Sequence, residues 1–154
     1  MSRNKRLSIL TAAEVEDLYG VPSFNESYQR FYFMLNDKEL AEISRIRQRK
    51  YRCVAIALLG YFKCKPVLLN PRYKSMQDDL VFIARFHYRD LTFRRFSLKP
   101  DQKSRIYARV LSIVGVSNWN DKRHQPQLVE HLCTCAESWV EPRAVFDAAI
   151  EYLA

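Results

Sequence analysis

Residues 35–65, LNDKELAEISRIRQRKYRCVAIALLGYFKCK, join a helix start, a run of cations and an apolar helix. Asn36 stands three residues before Glu39, the spacing at which two side chains cap each other's backbone N–H groups. A helix is therefore predicted to begin there, with Leu40, Ile43 and Ile46 at core spacing. Arg45, Arg47, Arg49, Lys50 and Arg52 then place five cations in eight positions with no carboxylate among them. Val54, Ala55, Ile56, Ala57, Leu58, Leu59, Tyr61 and Phe62 follow. They are apolar nearly all round, the pattern of a helix buried at the centre of a domain. The cations are expected on, or next to, a rigid element.

Upstream, Thr11 with Glu14 has the same capping spacing and opens a short helix that carries Val15 and Leu18 and closes at Gly20. Ser23 with Glu26 repeats the signal ahead of Phe24, Tyr28, Phe31, Tyr32 and Leu35. That aromatic stripe is read as core, since aromatics on one helical face fill bundle interiors more often than they stack bases. Downstream, Lys65-Pro66 and Asn70-Pro71 bracket a connection, because proline removes a helix donor and restricts the residue before it. Ser75 with Asp78 is read as the next start, with Leu80, Ile83, Ala84 and His87 inward, Arg85 and Arg89 outside, and Arg94 and Arg95 in the loop or turn beyond. Residues 101–114 form a further helix, with Pro100 near its first turn, Ile106, Val110, Ile113 and Val114 on one face, and Gly115 as its stop. Lys103, Arg105 and Arg109 lie off that stripe and form a second cationic ridge. Pro126 opens a helix with Leu128, Leu132, Cys135 and Trp139 inward. Pro142 opens the last, with Val145, Phe146, Ala149, Ile150 and Leu153 inward.

The predicted fold is all-α, a compact helical domain of about seven helices with helix-turn-helix-like units and no strand. A chain of 154 residues is one domain, or two small helical subdomains dividing near residue 70 (about 1–70 and 71–154). It is long enough to bury around two-thirds of its unfolded surface without disulfide support. Cys53, Cys64, Cys133 and Cys135 lack framework spacing, so reduced thiols are expected.

Charge narrows the function. Twenty-five basic against 17 acidic residues give +8, but the segment after Arg123 holds only Arg143 against Glu130, Glu137, Glu141, Asp147 and Glu151. That segment is at −4, which leaves +12 on residues 1–123. A positive field of this kind suits a polyanion, because each phosphate neutralised by Lys or Arg releases condensed counterions. Arg45, Arg47, Arg49, Lys50 and Arg52 are candidates for groove readout or phosphate contact, and Lys103, Arg105 and Arg109 for phosphate contact. Lys5 and Arg6 form a candidate N-terminal arm. The alternative is a solvated basic face with local pairs such as Glu42–Arg45 and Asp101–Arg105.

Catalytic and metal signals are weak. His124, His131, Cys133 and Cys135 lack the second ligand pair of a structural zinc site, and Cys133 and Cys135 would point about 200° apart on a helix. Asp78 and Asp79 read as acids near a helix start rather than metal ligands. No phosphate-loop, nucleophile-elbow or kinase pattern occurs, so no catalytic residue, cofactor or metal is assigned. The start of the chain has no secretory apolar region and residues 54–62 are too short to span a bilayer, so a cytoplasmic protein without a membrane partner is expected.

The succession of motifs resembles the N-terminal DNA-binding domain of the class II (Tn-three family) replicative transposases. RLSILTAAEVEDL at residues 6–18 is similar to that family's basic start followed by R-x-x-I-L-T-x-x-E, and residues 35–63 are similar to its helix pair with an arginine-rich continuation. LVFIARF, DQKSRIYARVLSIVGVSNW and EPRAVFDAAIEYLA follow in the family's order. The family's R-R-G glycine has no counterpart near Arg49, and its N-R-L-G-F-A stretch reads YRCVAIA. The resemblance implies recognition of transposon terminal inverted repeats in double-stranded DNA. It also implies a metal-dependent catalytic centre in another, C-terminal part of the transposase, nucleoid association while bound, and contacts with other transposase domains or a second subunit. A protein-interaction or assembly role within the transposase, without specific DNA binding, is the alternative.

Overall fold

The computed structural model describes residues 9–117, 125–138 and 141–153. They form eight helices and no strand: α1 (Ala12–Tyr19), α2 (Glu26–Tyr32), α3 (Asp37–Ser44), α4 (Arg49–Cys64), α5 (Tyr73–His87), α6 (Pro100–Val114), α7 (Gln125–Ser138) and α8 (Pro142–Leu153). The all-α expectation holds. Two compact units emerge, Val15–Val116 and Met1–Glu14 with Ser117–Ala154.

The larger unit is built around α4. Its residues Cys53 to Tyr61 are all buried, as an apolar perimeter requires, and α2, α3, α5 and α6 pack on it. Pro66 ends it by forcing Lys65 into the extended region (φ −129°, ψ 119°), where the Lys65 N–H still reaches the Tyr61 carbonyl at 2.8 Å. The run 35–65 is two helices rather than one continuous element. α3 stops at Ser44, and the Arg52 guanidinium donates from Nε to the Ile46 carbonyl at 2.6 Å and from Nη2 to the Ser44 carbonyl at 2.9 Å. Carbonyls left open at the end of α3 are thus satisfied by a side chain from the first turn of α4.

Several start and stop signals are realised. Asn36 and Glu39 form the reciprocal cap of α3, with Asn36 N–H to Glu39 Oε2 at 3.0 Å and Glu39 N–H to Asn36 Oδ1 at 2.9 Å. Thr11 and Glu14 do the same at α1. Pro100 and Pro142 occupy first positions, and Gly115 closes α6 in the left-handed region at φ 73°. Two others fail. Asn25, not Ser23, caps α2 by accepting from the Tyr28 N–H, and α5 begins at Tyr73, ahead of Ser75.

The inward faces also differ in places. Phe33, at the end of α2, is fully buried against Phe24, Tyr61 and Phe82, whereas Tyr28 and Phe31 of the expected core stripe are 54% and 71% exposed. Because α2 stops at Tyr32, the chain turns Phe33 rather than Phe31 into the interior. On α3 the buried pair is Glu39 and Ile43, one turn apart, and Leu40 is exposed. Glu39 is accommodated there by Lys63, whose Nζ lies 2.9 Å from its carboxylate.

In the smaller unit α7 and α8 pack as a pair, with Leu128 and Ala148 buried. Ile150 and Leu153, expected inward, are exposed, because Ala148 holds the contact face of α8. Arg143 joins Asp147 at 2.9 Å and Glu14 at 2.7 Å. Trp139 lies outside the described residues.

Candidate nucleic-acid interface

The cations of residues 45–52 occupy the turn between α3 and α4 and the first turn of α4. Arg45 pairs with Glu42 at 2.9 Å, Arg49 with Asp90 at 2.7 Å, and Arg47 is exposed with no side-chain partner among the described residues. Lys50 sits over two rings, 5.0 Å from the Phe96 centroid and 5.1 Å from that of Tyr51. Arg52 turns back to the carbonyls of the α3 end, so its fork holds the turn that displays the others.

On α6, Arg109 reaches Glu42 at 2.9 Å, Lys103 donates to Asn70 Oδ1 at 2.5 Å, and Arg105 is exposed without a partner among the described residues. Glu42 holds Arg45 on one carboxylate oxygen and Arg109 on the other. Two cationic segments more than fifty residues apart in sequence therefore meet at one acid. Asp101 makes no pair with Arg105, while the local Glu42–Arg45 pair does form. Lys5 and Arg6 lie outside the described residues.

The loop between α5 and α6 adds cations beyond the candidate set. Phe93 and Phe96 pack on each other and on Tyr73, with Arg95 5.9 Å from the Tyr73 centroid and Arg94 exposed. Arg49 lies over Tyr88 at 5.9 Å, and Lys50 over Phe96. These contacts bring the loop beside the first turn of α4. The alternation of aromatic and basic residues in FRRFSLK was the available signal. The Arg45–Glu42 and Arg49–Asp90 ion pairs reach solvent, where water and salt screen the attraction, so a phosphate can displace the acid at little cost.

Asp79 has another place than the sequence suggested. It lies in the second turn of α5, 6% exposed, accepting from Tyr61 Oη at 2.5 Å and from Gln29 Nε2 at 2.8 Å. Burial raises its pKa, and the two hydrogen bonds act in the opposite direction. Burial also raises the Tyr61 phenol and lowers His87, whose Nε2 lies 2.8 Å from the Phe33 carbonyl. Asp79 ties α2, α4 and α5 together, and its neighbour Asp78 is exposed.

His131 and Cys135 face each other one turn apart on α7, Nε2 to Sγ 3.7 Å, with His131 stacked on Tyr152. Cys133 is exposed and His124 lies outside the described residues. Among the described residues no three His, Cys, Asp or Glu side chains gather into a possible metal site, and no helix is long and apolar enough to cross a membrane.

Comparison with curated proteins and with solved structures yields no match. One family does match, over residues 9–154, a domain of unknown function designated DUF4158 that is found in transposase-like proteins. With nearly its whole length covered, the chain belongs to that family.

Proposed function

We propose that this chain is a non-catalytic, double-stranded-DNA-binding domain of a transposase and that it recognises transposon terminal inverted repeats. The convergence of Arg45 and Arg109 on Glu42 carries the DNA-binding part, because it merges the cations of the α3–α4 turn and of α6 into one surface. On that surface Arg47, Arg49 and Lys50 are best placed for groove or phosphate contact, and Lys103, Arg105 and Arg109 for phosphates along the flank. Arg52 contributes by holding the turn, and Lys5 and Arg6 act as an arm. End recognition is supported by the resemblance to class II transposases and by membership of a family found in transposase-like proteins.

The test is binding of the full chain to labelled inverted-repeat duplex and to a scrambled duplex across a salt series. A preference for the repeat that persists as salt rises supports end recognition, and Arg49→Ala then loses about 1–3 kcal/mol with relaxed discrimination at one position if it reads a base. Equal, steeply salt-dependent binding reduces the function to a grip on the phosphate backbone. No binding at low salt removes DNA from this domain's role.

A second reading rests on α2 and the connection that follows it, where Tyr28 and Phe31 on the helix and Met34 just beyond it are 54%, 71% and 58% exposed. Apolar side chains so displayed suit assembly with another transposase domain or a second subunit. Self-association of the chain, abolished by Phe31→Ser without loss of DNA binding, would establish it.

A further inference from the structure

A cavity of about 460 Å³ opens between α4, α5, α6 and the loop that precedes α6. Its floor is the domain core itself, Leu58, Met76 and Leu80, and among the described residues no side chain of the chain fills it. Three aromatic rings stand around it, Tyr73, Phe96 and Tyr107. Each has a cation over it: Arg95 lies 5.9 Å from the Tyr73 centroid, Lys50 5.0 Å from that of Phe96, and Lys103 5.7 Å from that of Tyr107. Tyr107 is fixed by donating its hydroxyl to the Leu69 carbonyl at 2.8 Å, and Phe96 is wedged between Tyr51 and Tyr73, so the rim is held in place.

An apolar cleft of a few hundred cubic ångströms with a few convergent polar groups is the general form of a small-ligand site. Here the walls suit a flat aromatic group and the rim suits an anion. A nucleotide unit has both parts, a base with two π faces joined to a phosphate. We propose that this cavity binds one unpaired nucleotide, its base against Tyr73, Phe96 and Tyr107 and its phosphate at Arg95 and Lys103. The site rests on and deepens the proposed DNA binding, since Phe96 of its wall is in contact with Lys50 in the first turn of α4. Such a pocket would let a duplex-binding surface detect an unstacked or single-stranded position next to the paired DNA it holds.

The full chain is titrated against a blunt duplex, the same duplex with a short overhang of adenines, the same overhang made of abasic nucleotides, and adenosine monophosphate alone. Each titration is repeated with Arg95→Ala and Arg95→Lys. Arg95 is exposed and can be replaced without opening the core. The adenine overhang is expected to bind at least about fivefold tighter than the abasic one, the difference that one stacked base supplies. Each variant's overhang affinity is read as a ratio to its own blunt-duplex affinity, since removing a cation of this surface lowers backbone binding as well. Arg95→Ala should abolish the adenine-over-abasic preference in that ratio, and Arg95→Lys should restore part of it. Arg95-dependent binding of adenosine monophosphate as well would assign the pocket to free nucleotides in addition to strands. Equal affinity for adenine and abasic overhangs with no monophosphate binding would overturn the proposal. So would a preference that survives Arg95→Ala unchanged. Blunt-duplex binding reports separately on the proposed function, and its loss would leave the monophosphate titration to decide the pocket.

Discussion

Arg109 on α6 lies 2.9 Å from Glu42 on α3, sixty-seven residues earlier in the chain. The pair is part-buried, with side-chain exposures of 35% and 20%, and the other oxygen of Glu42 holds Arg45. One carboxylate thus restrains two cations that would otherwise both face solvent. A bound phosphate would compete with Glu42 for the same guanidinium groups.

Glu42→Gln should therefore strengthen duplex binding at low salt and make it more salt-dependent, raising the slope of log affinity against log salt by about one contact. The stability loss should be modest, on the order of 1 kcal/mol, because the pairs reach solvent. Salt titrations of wild type and variant decide this. A weaker-binding variant would mean that Glu42 positions the arginines instead of masking them.

Arg52→Ala should lower stability by about 1–3 kcal/mol, the range for hydrogen bonds made by a charged group, since it leaves the Ser44 and Ile46 carbonyls without their donor. Arg47→Ala, at an exposed position without a partner among the described residues, should leave the melting temperature unchanged and weaken DNA binding. Parallel thermal melts and binding assays of the two variants separate the roles. Equal melting temperatures would show that the fork of Arg52 is dispensable to the turn.

Asp79 provides a pH signature. Its folded pKa is raised above the ordinary value of 3.8, with burial as the largest cause. A raised folded pKa means that the native state holds the proton more tightly than the unfolded chain does. The associated stability is complete below 3.8 and is lost as pH rises through the elevated native value. The advantage of wild type over Asp79→Asn in chemical denaturation should shrink as pH climbs from 3.8 through that window. Growth of the advantage over the same range would reverse the assigned shift.

Gly60→Ala should destabilise the larger unit by about 1–3 kcal/mol, as overpacking a full core does. An added Cβ would fall on the Phe33 ring, 2.6 Å from its Cε1 and closer still to its Cδ1, and Phe33 is completely buried with no room to move. Equilibrium unfolding of the variant measures the cost, and adding Phe33→Leu to Gly60→Ala should recover part of it. Unchanged stability would show that α2 can shift away from α4.

Much of the fold is legible locally. The caps at Thr11 and Glu14 and at Asn36 and Glu39, the prolines at 100 and 142, and Gly115 act within one helical turn, so residue type and spacing are enough to place them. The apolar perimeter of α4 likewise announces its own burial. Choices among chemically similar neighbours are less legible. Phe33 is buried rather than Phe31 because α2 stops at Tyr32, and Asp79 is buried rather than Asp78 because Tyr61 and Gln29 converge on it from α4 and α2.

The candidate interface divides in the same way. Composition and spacing within single stretches of chain suffice for the helical class, the central apolar helix and the two cationic segments. Packing in three dimensions set the rest: Arg109 and Arg45 share Glu42, Arg52 faces the end of α3, and the loop carrying Arg95 and Phe96 closes beside α4. Ion pairs and rims of this kind form between segments whose separation along the chain carries no signal, and the arrangement of helices around α4 sets which charges meet.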